Sequence, residues 1–112
     1  MARSVEKHRK LLDRLQKCTT PNQKLEVLRE GGKPLQLCLR ECCINVMNGN
    51  VMLTKQERTT LRRYKDQLRA VKNKGTSYKK RLEIQQKGGF LPALLAPVLA
   101  AVVSGLLQKR KK

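Results

Sequence analysis

Residues 90–107 read FLPALLAPVLAAVVSGLL, a run without a single charge, and the way this run is placed decides the architecture. It follows Gly88-Gly89 and leads into Gln108 and the cluster Lys109, Arg110, Lys111 and Lys112. A helix that packs on a soluble core ordinarily keeps one polar face. This run has none, so the expected surroundings are a bilayer, a hydrophobic groove or its own kind. As an ideal helix it would cover about 27 Å, the short edge of a spanning segment. Pro92, Pro97 and Gly105 interrupt it, which argues against a straight transmembrane rod. A kinked interfacial or pore-forming peptide, held at anionic headgroups by its cationic end, fits better. The competing placements are a tail docked in another protein's groove and a core helix of the same small domain.

Outward from the run, the chain is strongly basic. Lys and Arg number 26 against 8 Asp and Glu in 112 residues, a formal charge of +18. Such an imbalance says nothing about fold but argues for an anionic partner, nucleic acid or an acidic membrane surface. The charge concentrates between Lys55 and Lys87, where 12 basic residues face only Glu57, Asp66 and Glu83. That stretch is the expected electrostatic surface.

The remaining sequence reads as helices. Residues 3–18 carry a stripe of Val5, His8, Leu11, Leu12 and Leu15 opposite Lys7, Arg9, Lys10 and Arg14. Thr20-Pro21, with Gln23 following, starts a second helix over 21–30 that stops at Gly31-Gly32. Pro34 opens the most apolar helix of the body, 34–47, which holds Cys38, Cys42 and Cys43 and ends at Asn48-Gly49-Asn50. Thr54 and Glu57 form a capping box for a helix over 55–73, with Leu61, Tyr64, Leu68 and Val71 as its apolar stripe. Thr76 is the expected cap of a last body helix over 77–87. No segment has a strand period, so the expected fold is all-α. It is a small bundle of four to five short helices with a C-terminal hydrophobic helix. The expected organisation is a basic helical domain over 1–87, a Gly88-Gly89 hinge, the hydrophobic segment 90–107 and a basic tail over 108–112.

Cysteine and histidine usage gives little chemistry. The opening MARSVEKHRKLL lacks an apolar core of signal-peptide length. A reducing compartment with buried thiols is therefore the expectation. The alternative is zinc on Cys38 and Cys42, completed by His8 or Cys18, but the chain has no second C-x-x-C and one histidine. No metal, cofactor or small-molecule substrate is expected. With no Walker-type loop and no paired acids at helix spacing, no catalytic residue is nominated and the chain reads as a non-enzyme.

Binding to double-stranded DNA through phosphates is the favoured function. The candidate contacts are Arg58, Arg62, Arg63, Lys65, Arg69, Lys72, Lys79, Lys80 and Arg81. So many like charges in one helical stretch repel each other without a counterion, and neutralising phosphates gives sequence-independent affinity. A helix-turn-helix could be drawn over residues 34–72, but few amide side chains stand where base edges would be read. In the terminal run, Phe90, Leu91, Leu94, Leu95, Leu99, Leu106 and Leu107 are the expected contacts to an anionic membrane or a capsid protein through residues 90–112.

The order of basic helical region, diglycine and FLPALLAPVLAAVV resembles the adenovirus core protein X (pre-Mu) precursor family. The stretch from Glu41 to Leu107 is more closely similar to a small basic protein of Polinton/Maverick elements and adintoviruses. The matching pieces are Asn45-Val46-Met47-Asn48-Gly49-Asn50-Val51, Leu61-Arg62-Arg63-Tyr64-Lys65, Lys74-Gly75-Thr76-Ser77-Tyr78-Lys79-Lys80 and Gly88-Gly89-Phe90-Leu91-Pro92. The resemblance implies a virion component that packs DNA, present in the host nucleus during assembly and touching membrane during entry. It also implies Gly88-Gly89 as a candidate cleavage point for a viral cysteine protease that favours an aliphatic residue upstream, where this chain has Gln86. The alternative function is a minor capsid-associated or membrane-lytic structural protein with no DNA role.

Overall fold

The computed structural model describes residues 2–86 and 89–104. Seven helices follow one another: α1 (Ala2–Lys7), α2 (Arg9–Lys17), α3 (Pro21–Met47), α4 (Lys55–Arg63), α5 (Lys65–Lys72), α6 (Tyr78–Gln86) and α7 (Phe90–Ser104). No strand occurs among the described residues. The fold is all-α.

Local sequence sets most helix ends. Thr20 caps α3 by accepting from the Gln23 N–H at 3.2 Å. The Gln23 side chain reaches back to the Thr19 N–H at 3.0 Å, one residue short of the expected Thr20. Thr54 and Glu57 form the complete reciprocal box, with bonds of 3.0 and 2.9 Å. At α6 the cap is Ser77, whose hydroxyl accepts from the Lys80 N–H at 3.1 Å. Thr76 instead donates its N–H to the Asn73 carbonyl. The two helices expected over 21–30 and 34–47 are the two arms of α3, which kinks at Gly32 with φ 59° and ψ −151°. That backbone suits glycine alone.

Two expected single helices are each split once. The N-terminal one breaks at His8, whose ring Nδ1 donates to the Ser4 carbonyl at 3.0 Å. The helix expected over 55–73 breaks at Tyr64 (φ −105°, ψ 18°) into α4 and α5. Tertiary packing drives the second break: α4 lies on α7 whereas α5 lies on α3. Tyr64 stands at the corner and packs edge-on against Phe90, ring centroids 6.1 Å apart.

The uncharged run supplies the centre of the molecule. α7 packs against α1, α2, α3, α4 and α6. Phe90, Leu91, Leu94, Leu95 and Val98 are all but fully buried, and Leu99 and Val102 nearly so. This corrects the expectation of a detached apolar segment beyond a hinge. Residues 90–104 are a helix of the same body, and no described helix is long and apolar enough to cross a membrane. Among residues 90–102 of α7, Ala96 and Ala100 are exposed, with Pro92 and Ala93 partly covered. Its solvent side over these residues is therefore built of small side chains, so a helix without one charge still has an inner and an outer face. Pro92 falls in the first turn, where a missing N–H is tolerated.

One polar contact crosses this interior. Gln36 of α3 and Gln85 of α6 are both buried and exchange amide hydrogen bonds of 2.7 and 2.9 Å. Each satisfies the other, which fixes the register of α6 on α3.

Candidate nucleic-acid interface

The basic faces of α4 and α5 form one row. Lys55, Arg58, Arg62, Lys65, Arg69 and Lys72 recur at alternating steps of three and four, the spacing that keeps residues on one flank of a helix. All six are exposed. The apolar stripe of Leu61, Leu68 and Val71 is buried beside them, with Tyr64 half-buried, so burial of the stripe aims the row outward. Within each helix the three cations span about 10 Å, on either side of the break at Tyr64. Lys55 was not among the nominated contacts; the three-four spacing is the signal that includes it.

These cations have no internal use. The ion pairs among the described residues are Arg14–Glu30 at 3.0 Å and Lys80–Glu83 at 3.8 Å. Neither touches the row, and no row side chain makes a hydrogen bond to a described residue. Glu57, the nearest acid in sequence to Arg58, is occupied by the Thr54 cap. Asp66 is the one acid of α5. Arg63 is exposed as well but stands off the row's spacing.

The α6 residues divide. Lys79 is exposed without a partner among the described residues, and Lys80 leans on Glu83. Arg81 is turned inward. It is half-buried, and its guanidinium donates to the Asn73 carbonyl at 2.7 Å. Arg40 of α3, which carries no signal of a special role in its local pattern, donates to the Lys72 carbonyl at 2.7 Å. Two guanidiniums thus satisfy the open carbonyls at the end of α5, the end that favours positive charge. The Arg81 bond ties α6 to the residue that follows α5. Its role is to hold the surface together.

The expected membrane or capsid contacts are placed differently. Phe90, Leu91, Leu94, Leu95 and Leu99 face the core and are unavailable while the fold is closed. Leu106, Leu107, Gly88 and the basic tail over 108–112 lie outside the described residues. Gly89 is described, and its Cα hydrogen faces Tyr64: a Cβ there would stand 2.7 Å from the Tyr64 hydroxyl.

The thiols sit in the interior. Cys38, Cys42 and Cys43 are free and buried, whereas Cys18 is partly covered and donates to the Arg14 carbonyl at 3.0 Å. Burial pushes the Cys43 thiol up to about 12, against a lowering by Arg81. Cys38 is lowered to about 7, chiefly by a hydrogen bond from Cys42, which outweighs burial and is helped by Ser4 and His8. Cys42 moves well above the ordinary thiol range, first through that same bond and then through burial. No three potential ligands converge among the described residues.

Comparison with protein-family models, with curated proteins and with solved structures finds no match for the chain.

Proposed function

We propose that this protein binds and condenses double-stranded DNA without sequence specificity, through the α4–α5 row extended by Lys79. The observation that carries the reading is the cations themselves: Lys55, Arg58 and Arg62 of α4 and Lys65, Arg69 and Lys72 of α5 are exposed at helical spacing, with no partner among the described residues. Holding six like charges on one flank is unfavourable until counterions or phosphates neutralise them. A helix flank supplying cations but few amides suits phosphates better than base edges. The order of motifs, which resembles the small basic protein of Polinton/Maverick elements and adintoviruses, supports a packaged genome as the DNA, and hence a virion protein. A membrane- or capsid-contacting role for residues 90–104 requires α7 to leave the core, since its large side chains are buried.

Anisotropy titrations with two unrelated duplexes over a salt series test the reading. Equal affinities are expected, with a log–log salt slope of about −5 for six neutralised phosphates. A preference of more than about tenfold for one sequence would instead mark base readout.

A further inference from the structure

The turn between α3 and α4 holds out the most exposed large apolar side chain of the described residues, Met52, at 74% exposure. The turn is rigidly built. Asn50 bonds back to Asn45 through both its N–H and its side-chain amide, each at 2.9 Å. Gly49 takes φ 77°, and Val51 is buried as an anchor. Met52 stands on a depression of about 440 Å³ lined by the apolar Val46, Met47, Val51 and Leu53 and by Arg58. That volume lies in the range of ligand-sized sites, ~300–1,000 Å³. No acid lines it.

Arg58 belongs both to the cup and to the cation row. A polyanion following the row therefore crosses the mouth of an apolar cup near the row's first turn. A nucleic acid strand carries flat apolar groups between its phosphates. A thioether and a guanidinium are both suited to such a face, one polarizable and the other planar.

We infer that the cup receives one unstacked nucleobase of the strand held by the row. The inference rests on the nucleic-acid reading above and adds a preference to it: DNA with an unpaired base binds better than a perfect duplex. Seating a base costs its unstacking, a few kcal/mol in intact duplex and least for a base already unpaired.

The test uses the full chain and two short duplexes that differ by one unpaired 2-aminopurine. The bulged duplex should bind about tenfold tighter, with a change in 2-aminopurine emission. Met52→Ser should reduce that preference to about twofold or less while leaving perfect-duplex affinity and salt slope unchanged. Met52 is exposed, so the variant's melting temperature should match the parent's. Equal binding of both duplexes with unaltered emission overturns the base cup while leaving non-specific binding standing. A preference that survives Met52→Ser overturns it too. Self-association, or binding to phosphatidylserine vesicles, that depends on Met52 without any base preference assigns the cup to another occupant. Failure to bind any DNA removes the underlying reading and the cup with it.

Discussion

α7 and the α4–α5 pair are both one-sided helices, but they divide their sides by different properties. In α4–α5 the division is one of charge: Leu61, Leu68 and Val71 inward, Lys and Arg outward. In α7 it is one of size: Phe, Leu and Val inward, alanine outward at positions 96 and 100. A polarity scale recognises the first division and is blind to the second. The basic surface and the apolar centre therefore depend on each other. A helix without charge can be kept in a small fold because neighbouring helices carry the solubility, and α4 and α5 can expose their cations because α7 supplies so much core.

The sharpest break of this comparison puts a charge on each side of α7. Leu95→Asp buries a carboxylate among Phe90, Leu91 and Leu94 and should cost at least about 4 kcal/mol, enough to unfold so small a domain. Ala100→Lys lies on the exposed side and should stay within about 0.5 kcal/mol of the parent. Urea denaturation of both variants reads the difference, and equal effects would deny that α7 has two faces.

The interior polar contact gives a smaller effect. Gln36→Ala leaves the buried Gln85 amide without its partner, for an expected loss of about 1–3 kcal/mol. Replacing Gln36 and Gln85 together by leucine should recover most of it, since neither polar group then remains. A double variant as unstable as the single one would mean that the amides bond elsewhere.

The junction between the two regions is tested at Gly89. Gly89→Ala pushes a methyl group against the Tyr64 hydroxyl and should destabilise by about 1–2 kcal/mol. Tyr64→Phe removes that oxygen, so the substitutions together should be milder than their sum in a double-mutant cycle. Strict additivity would show that Gly89 does not pack on Tyr64.

The thiols yield an effect confined to alkaline pH. The Cys43 thiol ionises near 12 in the fold but near its ordinary 9.0 in the unfolded chain. Its contribution is therefore fully present below pH 9 and is lost as pH rises toward 12. Cys43→Ala should show a shallower fall of stability across that window than the parent. An unchanged slope would mean that the thiol is not shielded.

Much of this fold was legible because its signals are local. The Thr54–Glu57 box, the stop at Gly31-Gly32, Pro34 and the Leu61–Val71 stripe each depend on residues within a turn or two. The break at Tyr64 was not legible, because α4 and α5 answer to different neighbours and only the assembled core imposes that. The inward placement of Arg81 is not legible for a related reason: its Asn73 carbonyl lies across a turn, and composition cannot separate a bonded guanidinium from a solvated one. The run over 90–104 was read as tail because its faces differ in volume rather than polarity. Large residues at 91, 94, 95, 98, 99 and 102 against alanines at 93, 96 and 100 carried the missing signal. The row was half legible: its residues were nominated, but its alignment depends on which flank the core leaves open.

The central claim is that the α4–α5 cations are free for an external polyanion while α7 holds the fold. A salt titration of DNA binding for the parent and the Arg58→Gln, Arg62→Gln, Arg69→Gln triple variant, with thermal melts of both, tests it most directly. The account predicts weaker binding to every duplex, a slope reduced from about −5 to about −3, and an unchanged melting temperature. Undiminished binding with the parent's slope, or a fold that collapses when the three guanidiniums are removed, would contradict it.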